Sequence, residues 1–282
     1  MRFRMPAPLV CVLALLVLAI RPAHPQTLME NSRIAFVTDR DGNDEIYLMR
    51  VDGSELVNLT NDASADVDPA WSPEGDKIAF ASDRDGDFEI YVMDRDGSDV
   101  TQVTYGAATD LHPSWSPDGE RMLFSSDSAG GNPTVYVMNA DGTNQTQISH
   151  TASGGSEPTW SADIAQQAFA RPVGGRQQVA GIIYEYRRSF VSAVRARPGT
   201  QRSPAWSPNG RDIIWEEQAP DGQYDLWVKP LGSTSLTQLT NGTEDDLDPS
   251  WAPDGQAIAL RREGDIWLMG LADSEGTRIT AS

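Results

Sequence analysis

The sequence Trp71-Ser72-Pro73-Glu74-Gly75 decides the fold of this chain. It returns as Trp115-Ser116-Pro117-Asp118-Gly119 and as Trp206-Ser207-Pro208-Asn209-Gly210, and two weaker copies begin at Trp160 and Trp251. The successive tryptophans are 44, 45, 46 and 45 residues apart. A nearly constant period of this length indicates that one supersecondary unit is repeated along the chain.

Each repeat predicts four short strands joined by tight turns. In the second unit Pro73 and Gly75 suit a β-turn, and Asp-Gly pairs ending at Gly86 and Gly97 mark two more turns. The segments between these turns are rich in β-branched and aromatic residues, which favour strands. Four antiparallel strands in each repeat are typical of a propeller blade.

Six copies of the second strand predict an all-β, six-bladed β-propeller of four-stranded antiparallel blades. The copies are centred on Ala35, Ala79, Leu123, Ala168, Ile214 and Ala259. The predicted blades span approximately residues 27–60, 61–104, 105–149, 150–195, 196–240 and 241–282. In blade four we place the third strand at Ile183-Tyr184. This choice gives that blade an enlarged second loop, with 14 positions from Phe169 to Ile183.

The two ends of the repeat array raise the question of ring closure. No Trp-Ser-Pro turn precedes the first unit, and the last residues follow directly on the fourth strand of the sixth unit. Thr27 to Ser32 are therefore expected to supply the innermost strand of blade one. An incompletely closed ring, or one closed by an oligomer, is the alternative.

Residues 1–26 predict a secretory signal peptide. They combine a basic start, an apolar run from Leu9 to Ile20 and a Pro-rich exit, and they contain no acidic residue. The run is short for a stable membrane span, and an uncleaved anchor is the alternative. Cys11, the only cysteine, lies in this run, so the mature chain is expected to have neither disulfides nor a catalytic thiol.

The charge of the chain limits its partners. The net charge is -19, and cleavage of the leader would bring it near -22 by removing three arginines and no acid. A surface this acidic argues against nucleic acid and anionic membranes, and it favours cations or proteins. We therefore predict a protein partner, no nucleic acid, and no stable membrane span after cleavage. An oligomer is compatible with the sequence.

The repeat resembles the TolB-type propeller repeat, the PD40 relative of WD40. The resemblance rests on the Asp-x-x-Pro-x-Trp-Ser-Pro-Asp-Gly turn, the Ile-Ala-Phe strand, the Arg-Asp-Gly turn and the Ile-Tyr-x-Met strand, and it covers residues 33–280. It implies the propeller fold but not one function, because such propellers serve the Tol-Pal envelope system, peptidases and lone modules. The Tol-Pal protein also has an N-terminal α/β domain. About six residues separate the expected cleavage site from blade one, so we expect a lone propeller.

One residue precedes the proline of each innermost strand in blades two to six, and we call these five residues the ring. We expect them at the channel mouth, on the face opposite the Trp-Ser-Pro turns. Carboxylates with a histidine predict a metal site, with Ca²⁺ as the favoured ion. The alternative is structural, with these side chains capping loops or pairing with Arg40 and Arg84. The ring is Asp68, His112, Glu157, Ser203 and Asp248, of which all but Ser203 are the predicted metal ligands.

The fourth unit departs from the acidic pattern. Between residues 171 and 202 it has seven arginines and a single acid, Glu185. A basic blade in an acidic chain predicts a docking surface for an acidic partner or for the acidic face of another copy, and a decayed blade with solvated arginines is the alternative. The residues predicted to bind the partner are Arg176, Arg187, Arg188, Arg195 and Arg197.

These features predict an exported, non-enzymatic protein-binding scaffold in the periplasm or outside the cell. The chain has no G-x-S-x-G elbow, no H-E-x-x-H sequence and no glycine-rich phosphate loop, so no catalytic residue is predicted. The repeated tryptophans are expected to pack blade against blade rather than to hold a ligand. The alternative function is a cation or small-ligand sensor, or a hydrolase or lyase that uses the acidic channel mouth.

Overall fold

The computed structural model contains strands and turns arranged as six small sheets in a ring. It describes residues 14–16, 32–128, 130, 132–149, 154–164, 166–185, 188–193, 198–271 and 276–280. Every regular element in these ranges is a strand. No helix among the described residues has the length and apolar character needed to cross a membrane.

Each blade is one four-stranded antiparallel sheet in sequence order. Blade one contains β1 (Ala14–Leu16), β2 (Arg33–Thr38), β3 (Glu45–Arg50) and β4 (Val57–Asn58). Blade two contains β5 (Asp66–Trp71), β6 (Lys77–Ser82), β7 (Glu89–Asp94) and β8 (Thr101–Gln102). Blade three contains β9 (Asp110–Trp115), β10 (Arg121–Ser126), β11 (Thr134–Asn139) and β12 (Thr146–Gln147).

The second half of the ring repeats the same order. Blade four contains β13 (Ser156–Trp160), β14 (Gln166–Val173), β15 (Arg176–Glu185) and β16 (Arg188–Ala193). Blade five contains β17 (Gln201–Trp206), β18 (Asp212–Gln218), β19 (Tyr224–Pro230) and β20 (Thr237–Gln238). Blade six contains β21 (Asp246–Trp251), β22 (Ala257–Arg262), β23 (Asp265–Gly270) and β24 (Thr277–Arg278). The predicted six-bladed β-propeller is thus confirmed.

The core lies between neighbouring blades rather than at one centre. Ala35 and Ile46 of blade one pack with Phe80 and Met93 of blade two in one apolar cluster. Because the two faces of each sheet pack against different neighbours, the second and third strands are apolar almost throughout. The propeller closes in the same way, since Phe36 and Tyr47 of blade one share a cluster with Ala259 and Ile266 of blade six.

The Trp-Ser-Pro turn fixes the register between the first two strands of a blade. In blade two the Gly75 N–H donates to the Ser72 carbonyl at 2.9 Å, and the Lys77 N–H donates to Ser72 Oγ at 3.0 Å. Gly75 has φ +70°, a conformation that glycine adopts without steric cost. The motif therefore sets the turn and the strand pairing together.

The third strand of blade four differs from its predicted position. Phe169 pairs with Ala180, as Phe80 pairs with Tyr91 in blade two. Val179 thus occupies the place of Ile90. Ile183-Tyr184 do lie in the third strand, as predicted, but near its end rather than at the positions equivalent to Ile90 and Tyr91. The predicted enlarged loop is wrong, because the second and third strands of this blade join through Gly174 and Gly175 alone. The extra residues lengthen the strands instead. The prediction failed because Ala180 replaces the tyrosine that marks this strand elsewhere.

The innermost strand of blade one also differs from the prediction. Ala14, Leu15 and Leu16 pair with β2, with Leu15 opposite Ile34. These residues lie in the predicted signal peptide. Of the segment predicted for this strand, residues 27–32, only Ser32 is described, so that assignment lies outside the described residues. Ile34 to Val37 are fully buried, and an apolar strand suits such an edge better than the more polar sequence of residues 27–32.

A buried carboxylate begins the innermost strand in several blades and is neutralised by an arginine of the same blade. In blade two Arg84 lies 3.0 Å from Asp66, and its guanidinium lies 4.7 Å from the ring centroid of Tyr91. In blade six Arg262 lies 2.6 Å from Asp246. Charged groups are stable in the interior only when such partners are present.

Blade three lacks this arginine, because Ser128 stands where blade two has Arg84. Asp110 is buried, and its Oδ1 has no hydrogen-bond partner among the described residues. Burial, together with the charge of Asp110, raises the pKa of the adjacent Glu89 to about 7. Burial likewise raises the pKa of Asp110. The two carboxyl groups therefore share a proton where blades two and six have an ion pair.

Ser128→Arg is expected to stabilise the protein by about 1 kcal/mol, or about 2–4 °C in Tm. The new guanidinium can reach Asp110 and stack on the Phe124–Tyr136 pair, whose rings match the Phe80–Tyr91 pair that supports Arg84. Thermal unfolding at neutral pH measures the effect. Ser128→Gln, which adds length without charge, is the matched control. An equal gain in the glutamine variant would exclude the ion pair as the cause.

Candidate functional site

The ring residues lie inside the innermost strands, not before them as the sequence analysis expected. Their backbones adopt the left-handed conformation, with φ between 49° and 55° in Asp68, His112, Glu157, Ser203 and Asp248. A β-bulge shifts the register at this point in each of these blades. Such a conformation costs about 1 kcal/mol or more for a residue with a side chain. The same bulge recurs in five blades, so it is a constant feature of the fold that places these side chains around one axis.

Ring carboxylates connect one blade to the next through backbone hydrogen bonds. The His112 N–H donates to Asp68 Oδ2 at 3.0 Å, although the residues are 44 positions apart. In the same way the Ser203 N–H donates to Glu157 Oε2. These bonds provide a structural reason for acids at the ring, because each one satisfies a donor that the bulge frees from the strand ladder.

The predicted metal site remains a prediction. Among the residues that the structure describes, no group of three or more His, Cys, Asp or Glu side chains is arranged to hold an ion. Asp68 and His112 do approach each other, with Oδ2 and Nε2 3.7 Å apart. Arg40 and Arg84, the partners in the alternative interpretation, do not pair with the ring: Arg84 pairs with Asp66 and Asp62, and Arg40 lies over Tyr47.

Three residues of the second strands, Ser125, Glu216 and Arg261, support the ring and were not predicted from the sequence. Ser125 Oγ lies 2.8 Å from His112 Nδ1. Ser203 Oγ donates to Glu216 Oε1 at 2.9 Å. Arg261 Nε donates to Asp248 Oδ2 at 3.0 Å.

A signal for these residues exists in the repeat. The corresponding positions in the other blades hold apolar Val37, Ala81 and Ala170, so a polar residue here breaks the pattern of the buried strand. Such breaks indicate a specific partner, because a buried polar side chain without one is costly.

The most strongly perturbed group of the site is Glu216, which is fully buried. Its Oε1 lies 2.5 Å from Arg202 Nε, and its Oε2 accepts the Asp248 N–H at 3.3 Å. Burial raises the pKa of Glu216 to about 8; the Asp248 carboxylate adds to this rise and Arg202 opposes it. Burial also raises the pKa of Asp248, against the effect of Arg261. This side of the ring therefore holds two arginines and two acids that retain a proton easily.

The ring surrounds a cavity of about 520 Å³ at the centre of the propeller. Its wall is formed by the innermost strands of blades two to six, and includes the ring itself, the prolines that follow it and four of the repeated tryptophans. It continues to Ser72 and Pro73, so the cavity reaches the Trp-Ser-Pro turns that we had assigned to the face away from the binding site. The lining combines apolar rings with carboxylates, which is the usual composition of a binding site.

The repeated tryptophans connect neighbouring blades, as predicted. The Trp115 indole N–H donates to the Ala70 carbonyl of the preceding blade at 3.2 Å. Trp160 and Trp251 make the same bond to Ser114 and Ala205 at 3.1 and 3.2 Å. Trp115 and Trp251, which line the cavity, are therefore held in place by the preceding blade.

The predicted arginine surface is only partly described. Arg176 begins β15, is exposed and donates to the Pro198 carbonyl. It also lines a second cavity of about 750 Å³ together with Glu217, Asp225 and Trp227. Arg188 begins β16, but its side chain lies outside the described part, as do Arg187, Arg195 and Arg197 entirely. The docking role of these residues remains a prediction.

Six four-stranded antiparallel sheets around a central channel define the class of the protein, a six-bladed β-propeller. Residues 22–130 match the family model described as TolB beta propeller domain. The resemblance of the repeat to the TolB-type propeller repeat is thus confirmed over these residues. The ring, the tryptophan wall and the bulges belong to this repeat.

Known proteins support the same assignment. Over 64 residues the chain is 33% identical to the Tol-Pal system protein TolB of Alcanivorax borkumensis. The matched segment makes up 22% of this chain and 15% of that protein. TolB of Acinetobacter baumannii has a similar structure, with TM-score 0.71, 22% identity, and coverage of 87% of this chain and 65% of that one. A TolB from Agrobacterium tumefaciens gives TM-score 0.73 and 17% identity over 84% and 88% of the two chains. At these identities the structures share the fold.

Proposed function

We propose that this chain is an exported protein-binding scaffold whose central cavity receives a side chain or loop of a partner protein. The observation that supports this most directly is the open cavity of about 520 Å³ with its rigid wall of tryptophans and prolines. Preformed apolar walls favour binding because little conformational entropy is lost when a partner enters. The named relatives belong to the Tol-Pal system, which supports a periplasmic or extracellular setting.

The charge of the cavity selects a basic group on the partner. In the described part of the chain, Asp68 forms no ion pair with an arginine or lysine, and its Oδ2 lies 3.7 Å from His112 Nε2. Arg202 and Arg261 are already engaged by Glu216 and Asp248 on the other side of the ring. The ring therefore keeps a negative potential at Asp68 and Glu157, which attracts a lysine or arginine side chain.

Export is part of the proposal and has a structural consequence. Cleavage between Ala23 and Gln26 would remove β1, which pairs with β2 in blade one. The mature chain would then have to close blade one in another way. N-terminal sequencing of the protein recovered from the periplasm or medium tests this part of the proposal directly. An intact N-terminus in the cytoplasmic fraction would contradict it.

The double variant Asp68→Asn, Glu157→Gln is expected to reduce capture of envelope proteins by the purified propeller at least about tenfold. Each amide oxygen can still accept the N–H of the next blade, so the fold should persist while the negative charge is lost. The measurement is quantitative mass spectrometry of proteins retained from an envelope extract. Asp99→Asn, at an exposed outer position, is the matched control. Equal capture by all three proteins would refute a role for the cavity.

A small-molecule ligand is the second candidate, because cavities of this size also suit such ligands. Native mass spectrometry of the purified wild-type protein distinguishes the two. A bound small molecule that is lost in the double variant would favour a ligand sensor over a protein scaffold.

A further inference from the structure

The outermost strand of blade four differs from all the others in length. In the remaining blades this strand has two residues: β4, β8, β12, β20 and β24. In blade four, β16 has six residues, Arg188–Ala193. It is the last strand of its sheet, so the described structure ends there in a long free edge. Free edges of this length are sites where another strand can add.

The pairing register shows which backbone groups face outward. β15 and β16 are joined by two residues, and Glu185 pairs with Arg188. In a two-residue hairpin this closing pair is hydrogen-bonded, and bonded and non-bonded pairs then alternate. Ser189, Val191 and Ala193 therefore occupy non-bonded pairs, and their N–H and C=O groups point away from β15.

The neighbouring hairpin gives the same alternation. Val173 and Arg176 close the turn between β14 and β15, so Ile182 directs its N–H toward β14. Ile182 is the residue opposite Val191. The outward direction of the Val191 N–H thus follows from two independent registers.

The sequence of β16 does nothing to protect this edge. Natural edge strands are usually short, or carry lysine, proline or a bulge that discourages pairing. β16 reads Arg-Ser-Phe-Val-Ser-Ala, a six-residue strand with two strong β-formers and no proline, and the register of β15 and β16 has no bulge. A long edge strand without lysine, proline or a bulge can accept a further strand from a binding partner.

The charge around the strand selects an acidic occupant. The sequence that contains and flanks β16, residues 186–197, has four arginines and no acid in a chain whose net charge is -19. A second copy pairing antiparallel through β16 would bring Arg188 of one chain toward the arginine-rich sequence after Ala193 of the other, and like charges across a strand pair are destabilising. An acidic extended segment meets no such repulsion.

We propose that blade four binds an acidic, extended segment of a partner protein, which adds as a fifth strand along β16. This inference rests on the proposed role as a protein-binding scaffold, but it uses a surface separate from the central cavity. The backbone supplies the affinity, and the arginines of this blade select the charge of the segment.

The test uses two synthetic ten-residue peptides, one alternating threonine and glutamate and the other alternating threonine and lysine, with binding followed by fluorescence anisotropy. We expect the acidic peptide to bind and the basic peptide to bind at least about tenfold more weakly. Val191→Pro removes an outward N–H and should weaken acidic-peptide binding at least about tenfold. Val191→Thr keeps that N–H and should bind as the wild type does.

Circular dichroism shows whether Val191→Pro is folded. If it is not, Ser189→Pro replaces it in the test, because that variant also removes an outward N–H. Equal binding of the two peptides, or failure of the acidic peptide to bind, would overturn the proposal. A concentration-dependent dimer that Val191→Pro abolishes would also overturn it, in favour of a second copy. Loss of peptide binding in the Asp68→Asn, Glu157→Gln variant would place the peptide in the cavity instead. If the acidic peptide does not bind while the Asp68→Asn, Glu157→Gln variant still captures fewer envelope proteins, the β16 proposal is contradicted and the proposed function of the cavity is not.

Discussion

Replacing Gly142 with alanine is expected to lower the free energy of unfolding by about 3 kcal/mol or more. Gly142 lies in the third turn of blade three with φ +83°, and an added Cβ would lie 2.1 Å from the carbonyl oxygen of Val103 in blade two. That oxygen belongs to the backbone of the neighbouring blade and cannot rotate away. The substitution must therefore either push two blades apart or deform the turn. Chemical denaturation measures the loss.

Gly232→Ala is the matched control for this prediction. Gly232 also lies in a third turn with positive φ, at +71°, but a Cβ there would have no atom within 4 Å. It should cost only the backbone strain of about 1 kcal/mol. If both variants lose the same stability, blade-to-blade contact at the third turn is not what the glycine protects.

The same kind of contact is also made where the first and last blades of the propeller meet. A Cβ at Gly97 would lie 2.7 Å from the Leu59 carbonyl oxygen of blade one, and a Cβ at Gly53 would lie 2.7 Å from the Ile279 oxygen of blade six. The junction between the last and first blades thus repeats the contact made between blades one and two and between blades two and three. The propeller closes through ordinary blade packing on its outer side, while β1 completes the innermost position of blade one.

Local turn chemistry made most of the fold predictable. Trp-Ser-Pro and Asp-Gly turns recur because each acts within a few residues, and six copies are enough to fix the blade number. The prediction failed where a strand is defined by its partner rather than by its own sequence. Ala180 has no aromatic signature, and its assignment depends on the pairing with Phe169. Leu15 pairs with Ile34 although its own sequence is typical of a leader peptide.

The candidate site was predictable in its members but not in its contacts. The ring could be found because each member precedes a proline at a constant place in the repeat. Glu216 and Asp248 meet through a β-bulge and across two blades, at a separation of 32 residues. No local pattern encodes such a contact, and only the replacement of a repeated alanine by Glu216 or Arg261 indicates that one exists.

Glu216→Gln is expected to abolish a large part of the pH dependence of stability. The pKa of Glu216 rises from its ordinary value of 4.5 to about 8 in the folded protein, because the carboxyl group is buried beside Asp248. Between these values the folded state holds a proton that the unfolded state has released. The contribution of Glu216 to stability is therefore greatest below pH 4.5 and is lost as the pH rises toward 8. The loss amounts to roughly 4 kcal/mol.

The decisive measurement is the difference between the variant and the wild type in denaturant unfolding at a series of pH values. Glutamine resembles the protonated acid, so the two proteins should be similar near pH 4.5, and the variant should become progressively more stable than the wild type up to pH 8. Other buried acids titrate in both proteins and cancel in this difference. Glu120→Gln, at an exposed position, should show no such trend. A difference that stays constant across this range would mean that Glu216 is ionised at all these pH values and that Arg202 compensates its burial in full.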